Sequence, residues 1–125
     1  MRVLDAALKK IPNEAKMTVF RGTARAHIQF KKKGEIVRLK GYTSTSPSQE
    51  VAEEFIRDRL MVLTVTSGKD ISSYSNAGGE REVLLPRSTY VRYDGSEMKE
   101  MNIFTEEGPE LRLIEVVYLT EVSVR

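Results

Sequence analysis

From Met61 to the C-terminus no apolar run is long, and each one stops at a turn signal. Met61 to Thr66 ends at Ser67-Gly68, Ile71 to Ser75 at Asn76-Ala77-Gly78-Gly79, Glu82 to Leu85 at Pro86, and Tyr90 to Tyr93 at Asp94-Gly95. Short runs rich in β-branched and aromatic residues, punctuated by Gly and Pro, read as strands joined by hairpins. Asp94-Gly95 is the strongest turn signal in the chain. Met98 to Thr105 and Leu111 to Val124 supply the last strands. Upstream, Leu4, Ala7, Leu8 and Ile11 fall at helical spacing, and Pro12-Asn13 stops that helix. Met17 to Arg21 reads as a strand ending at Gly22, Lys31 to Gly34 as a solvated turn, and Glu35 to Ser46 as extended chain. A second helix follows, with Ser46 as its cap, Pro47 in the first helical position and Gln49 closing a capping box. Val51, Ala52, Phe55 and Ile56 give that helix a face up to about Arg59. Helices early, strands late and no strand–helix alternation define an α+β fold with mostly antiparallel sheet.

Composition narrows the chemistry. The 125 residues, 40% hydrophobic and 30% charged, fit one globular domain over 1–125. Twenty Lys plus Arg against 18 Asp plus Glu leave a net charge of +2, and nucleic-acid binding needs clustered rather than summed charge. The absence of Cys excludes disulfides, thiolate zinc sites and a cysteine nucleophile, and a single His27 excludes multi-histidine metal sites. His27 has no Cys or Ser motif beside it and reads as a surface or turn-packing residue. No apolar run approaches the roughly 20 residues that span a bilayer, and the N-terminal stretch is not of signal-peptide type. The expectation is a soluble domain that works with carboxylates, hydroxyls and arginines, without a metal.

Three polar features sit at strand ends, where folding does not require them. Arg21, next to Gly22, closes an apolar strand and offers a planar fork of donors suited to phosphate or carboxylate, while Gly22 lets backbone approach a ligand. Tyr42-Thr43-Ser44-Thr45-Ser46 ends another strand in consecutive hydroxyls. Glu80-Arg81-Glu82 follows the glycine loop, and on a strand Glu80 and Glu82 share one face. Two carboxylates on one face repel, which serves chemistry better than folding. Taken singly, each has an ordinary reading as well: a salt-bridged strand end, a β-rich run with a helix cap, a charged edge strand.

In combination and order they resemble the arginine-serine-glutamate class of ADP-ribosyltransferases, the cholera- and clostridial-toxin-like fold. The resemblance rests on Val19-Phe20-Arg21-Gly22-Thr23, Gly41-Tyr42-Thr43-Ser44-Thr45-Ser46-Pro47 and Gly79-Glu80-Arg81-Glu82-Val83-Leu84-Leu85-Pro86, and runs from about Val19 to Thr89. It implies a split β-sandwich around an NAD cleft, with a few short helices. It also implies roles. Arg21 holds the NAD phosphates, Gly22 hydrogen-bonds the nicotinamide amide through its backbone, and Ser44 supports the NAD site and orients the catalytic glutamate. Thr45 and Ser46 brace the strand. Glu82 is the catalytic glutamate at the nicotinamide ribose, and Glu80 faces the acceptor. In this class Glu at the position of Glu80 goes with arginine acceptors and Gln with asparagine or cysteine. The loop Ser75 to Gly79 is then the acceptor-recognition loop, with Tyr74 a neighbouring acceptor contact.

The implied activity is transfer of ADP-ribose from NAD, used as substrate, to an arginine of a target protein. The family usually carries several helices before the first strand, whereas here only Val3 to Ile11 precede it. That implies a compact toxin-type member or the C-terminal part of a larger effector, and analogy with delivered effectors adds a neutralising immunity protein as a partner. Two other readings stay open on the residues alone. One keeps the fold as an NAD glycohydrolase or a transferase acting on nucleic acid. The other is a small basic RNA-binding module using its strand tyrosines, which leaves the paired glutamates unexplained.

Overall fold

In the computed structural model of the chain, the described residues are 16–25, 28–39, 41–70 and 82–123. The expected first helix, the expected strand at Ile71–Ser75, the glycine loop, His27, Tyr74, Glu80 and Arg81 lie outside them. The elements are β1 (Met17–Thr23), β2 (Ile36–Leu39), β3 (Thr43–Thr45), α1 (Gln49–Glu53), β4 (Arg59–Val65), β5 (Lys69–Asp70), β6 (Val83–Leu85), β7 (Thr89–Thr105) and β8 (Gly108–Val122). They form a five-stranded sheet in the order β1-β4-β8-β7-β2 and a three-stranded sheet in the order β3-β6-β5. All pairings are antiparallel except β4 with β8.

Alternation along β4 explains how the sheets pack. Met61, Leu63 and Val65 point to one face and meet Val19, Val117 and Leu119 of the large sheet and Val83 and Leu85 of the small one. This cluster is the core between the two sheets, and burying each such side chain contributes about 1.5–3 kcal/mol. Leu60 points to the opposite face, where Ala52 and Ile56 from the helical segment join Ile103 and Ile114. A strand buried on both faces reads in sequence as the unbroken run seen at Met61–Thr66.

Two expectations are corrected. The second helix is one turn long, and its cap is Ser48, whose side chain accepts from the Val51 amide. Ser46 Oγ instead accepts from the Ser48 amide at 3.0 Å. Nor does the helix continue to Arg59. The Arg57 and Asp58 amides donate to the Thr23 carbonyl at 3.2 and 3.4 Å, which draws the chain into the β1–β4 pairing, so tertiary contacts override helical propensity. Phe55 is left exposed, while Arg59 opens β4 and is buried. The Arg59 guanidinium donates to Glu115 Oε1 at 2.7 Å and to the Ile28 carbonyl at 2.6 Å, and lies 5.1 Å over the Phe30 ring.

Asp94-Gly95 is not a hairpin turn either. The register shifts between Tyr93 and Gly95, and β7 runs on through a bulge to Thr105. A positive φ of 123° at Gly95 makes the bulge; the same freedom favours Asp-Gly in a tight turn, so the two outcomes share a sequence signal. Asp94 accepts from Thr120 on β8 and from Arg92 at 2.7 Å. Burial alone would raise its pKa, but the Thr120 bond and the Arg92 guanidinium outweigh it and hold the carboxyl below its usual value. The turn itself falls at Glu106–Glu107, with Gly108 at φ 109°. β2 pairs with β7 only from Thr89 to Arg92, and β4 pairs with β8 only from Arg59 to Thr64 opposite Glu115 to Thr120. Beyond those limits β7 and β8 continue as a two-stranded ribbon.

Candidate active site

Among the described residues, one isolated backbone bridge stitches the two sheets together. Phe20 on β1 and Ser46 just after β3 exchange both backbone hydrogen bonds, at 2.7 and 3.0 Å, as an isolated antiparallel bridge. β3 in turn pairs with β6, setting Ser44 opposite Leu84 and Thr45 opposite Val83. The buried Thr45 hydroxyl donates to the Val83 carbonyl at 2.6 Å and locks that register. Residues flanking the stitch are therefore forced together: Arg21 from β1, Ser44 from β3 and Glu82 immediately before β6. Arg21 Nη1 donates to the Ser44 carbonyl at 2.8 Å, and Ser44 Oγ donates to Glu82 Oε2 at 2.6 Å. One serine thus holds the guanidinium with its backbone and the carboxylate with its side chain. Donation from the hydroxyl fixes the orientation of the carboxylate.

Arg21, Gly22, Ser44, Thr45, Ser46 and Glu82 all line one cavity of about 890 Å³. The structure thus brings together every expected site residue that it describes; Glu80 and Tyr74 lie outside the described residues. The sequence reading missed Arg57, Arg112, Glu54 and Phe55, which also line the cavity. Among the described lining residues three guanidinium groups, on Arg21, Arg57 and Arg112, face two carboxylates, on Glu54 and Glu82, a balance suited to a pyrophosphate. Arg112 comes from the β8 ribbon and carries no local motif. Phe55 had a signal, an aromatic on the helix that follows the serine strand, but periodicity assigned it inward. Two of the strand tyrosines are engaged within the chain: Tyr93 stacks on Phe30 with centroids 5.0 Å apart and pairs with Ser96, and Tyr118 donates to Glu97 at 3.2 Å.

Gly22 does more than expose backbone. The strand does not end there but runs to Thr23, and a Cβ on Gly22 would lie 2.4 Å from the Ala52 carbonyl oxygen and 2.5 Å from the Ile56 amide nitrogen. The missing side chain is what seats the end of α1, and Phe55 with it, on β1. Strand alternation turns the N–H and C=O of Gly22 the same way as those of Phe20, away from β4 and toward the cavity. Gly22→Ala is expected to lower the thermal midpoint by several degrees, an overpacking cost of about 1–3 kcal/mol, and to weaken ligand binding in the cavity as α1 shifts. Thermal unfolding with a ligand titration checks this; an unchanged midpoint would mean that α1 is not seated on Gly22.

The fold is that of ADP-ribosyltransferases. Exoenzyme S from Pseudomonas aeruginosa, solved with human 14-3-3 protein beta and bound to carba-NAD, matches 97% of this chain and 56% of its own at 25% identity and a TM-score of 0.72. Vis toxin from Vibrio splendidus, an ADP-ribosyltransferase, shares the fold at a TM-score of 0.70 and 22% identity, over 98% of this chain and 55% of its own. The NAD:arginine ADP-ribosyltransferase family model matches residues 1–105, and the chain belongs to that family. It is 37% identical over 73 residues to ecto-ADP-ribosyltransferase 5 of Rattus norvegicus, covering 58% of this chain and 24% of that protein. It is 35% identical over 94 residues to exoenzyme T of Pseudomonas aeruginosa, covering 73% of this chain and 21% of that protein. The chain thus spans a quarter or less of the length of these relatives. No helix among the described residues is long and apolar enough to cross a membrane.

Proposed function

We propose that this chain cleaves NAD at the nicotinamide–ribose bond and transfers ADP-ribose to an arginine of a target protein, acting as a toxin or effector delivered into another cell. The observation that carries the proposal is the hydrogen-bonded series Arg21–Ser44–Glu82 lining a single cavity. Arg21 takes the pyrophosphate, with Arg57 and Arg112 adding positive charge on the same walls. The Gly22 backbone faces the nicotinamide amide, and the exposed ring of Phe55 offers a flat apolar wall to an aromatic ligand. Thr45 and Ser46 hold the strand that carries Ser44.

When the glycosidic bond breaks, its electron pair leaves with nicotinamide and the ribose becomes oxocarbenium-like. A fixed carboxylate stabilises that cation more than it stabilises the neutral ribose, so Glu82 acts on the transition state rather than on binding. The geometry parallels glycoside hydrolysis, which breaks the same kind of bond at an anomeric carbon. An acceptor guanidinium nitrogen then bonds to the ribose carbon and loses its proton, and Glu80 orients the guanidinium and takes that proton. Tyr74 and the loop Ser75 to Gly79 form the remainder of the acceptor side. An immunity protein in the producing cell is the partner such an activity calls for.

Glu80→Gln tests the acceptor assignment. It is expected to reduce transfer to arginine at least about tenfold while nicotinamide release to water persists, because general-base assistance is lost and Glu82 is intact. Arginine labelling that survives Glu80→Gln at the wild-type rate overturns the assignment. Label appearing on RNA instead of protein identifies a nucleic-acid acceptor.

A further inference from the structure

The β7–β8 ribbon presents two different faces. Cross-strand partners share a face, and the face holding Ile103, Thr105 and Arg112 turns to the cavity and α1. The opposite face carries Met98, Leu111 and Leu113, exposed by 49%, 59% and 59%, on strands that have left their neighbours in the sheet. Large apolar side chains side by side on an exposed sheet face mark a binding surface more often than an idle one.

Charge and position indicate what binds there. Glu100, registered with Leu113, shares the leucine face, and Glu106 and Glu107 stand in the turn at its end, whereas Glu97 and Glu110 fall on the opposite face and pair there with Lys99 and Arg112. The partner that complements this face is basic around an apolar patch. Its place relative to the chemistry is fixed by strand alternation. Arg21 is registered with Met61, and Met61 with Val117, so Arg21, Val117, Leu113 and Leu111 belong to one face of the large sheet. Two strand spacings, about 10 Å, separate β1 from β8, and Leu113 and Leu111 lie four and six residues along β8 from Val117, about 13 and 20 Å at 3.3 Å per residue. An ordinary interface of about 800 Å² per partner covers that span.

We propose that the Met98–Leu111–Leu113 face of the ribbon is the docking surface for the target protein, and that it selects acceptor arginines lying in basic, apolar-containing surroundings. This rests on the protein-arginine transfer proposed above. The leucines supply the contact area, and the glutamates steer a cationic surface and disfavour an acidic one.

Leu111→Thr/Leu113→Thr tests it, since both side chains are exposed and threonine suits a strand. Three acceptors are offered to the full chain with NAD: L-arginine methyl ester, a synthetic peptide with one arginine among leucines and lysines, and the same peptide with glutamates for the lysines. Wild type is expected to modify the lysine peptide at least tenfold more efficiently, by kcat/KM, than the glutamate peptide. The double variant is expected to lose at least fivefold on the lysine peptide, through KM, with the methyl ester rate unchanged. Glu100→Lys/Glu107→Lys is expected to reduce the lysine-peptide preference, leaving folding of the leucine face untouched. Equal efficiency on the two peptides, or parallel losses on peptide and methyl ester, overturns the docking surface. Failure of wild type to modify any of the three while still releasing nicotinamide overturns the arginine reading instead, and the docking surface with it.

Discussion

Glu82→Gln is expected to lower nicotinamide release and ADP-ribose transfer together by about 10²–10³-fold or more, the usual cost of removing one group aimed at transition-state charge. Glutamine has the same shape, and its amide oxygen can still accept from Ser44 Oγ, which now donates to Glu82 at 2.6 Å. What disappears is the negative charge beside the developing ribose cation. NAD affinity is expected to change only a few-fold, because the neutral ground-state ribose gains little from that charge. Chromatographic measurement of nicotinamide against time, with affinity measured separately, distinguishes the two. A variant that retains a tenth of the wild-type rate would mean that Glu82 is not the catalytic carboxylate.

The second large effect concerns stability. Arg59 is 3% exposed, and Glu115 Oε1 lies 2.7 Å from its Nε. Arg25, a second cation near Glu115 at 3.6 Å, is more than half exposed and contributes little. Glu115→Ala strands a buried guanidinium and is expected to cost about 3–5 kcal/mol. Against the 5–15 kcal/mol typical of a folded domain this is a large fraction of the whole. The double variant Arg59→Met/Glu115→Leu is expected to recover most of the loss, because removing both charges also removes their desolvation cost. Urea unfolding of the wild type, Arg59→Met, Glu115→Leu and the double variant closes the cycle, with Glu115→Ala measured beside them. A single variant within 1 kcal/mol of wild type would mean that water reaches the pair.

How legible each element was depended on where its physics resides. β1, β4 and β6 are short apolar runs bounded by Gly or Pro, and their signals are local. Arg21, Ser44 and Glu82 were legible as a set because each stands beside such a strand, in an order that fits one family. The helix cap was off by two residues, as Ser46 and Ser48 are both competent caps and the choice was made by the Phe20–Ser46 bridge, which is not local. Asp94-Gly95 misled for a different reason: a bulge and a tight turn ask the same of those two residues. Arg59 follows the helical periodicity of Val51–Ile56 in sequence, and the Glu115 partner that places it on β4 lies on β8, far along the chain. Arg112 and Phe55 entered the site through tertiary packing alone. The parallel β4–β8 pairing likewise has no signature in either strand.

One dinucleotide is expected to occupy the cavity bounded by Arg21, Ser44 and Glu82. A crystal structure with carba-NAD, whose glycosidic linkage cannot be cleaved, tests it most directly. The pyrophosphate is expected at Arg21, the nicotinamide amide at the Gly22 backbone, and the ribose hydroxyls within hydrogen-bond distance of Glu82. Density for the analogue elsewhere, such as the groove between α1 and the face of β4, β7 and β8, with the Arg21–Ser44–Glu82 series undisturbed, would contradict it.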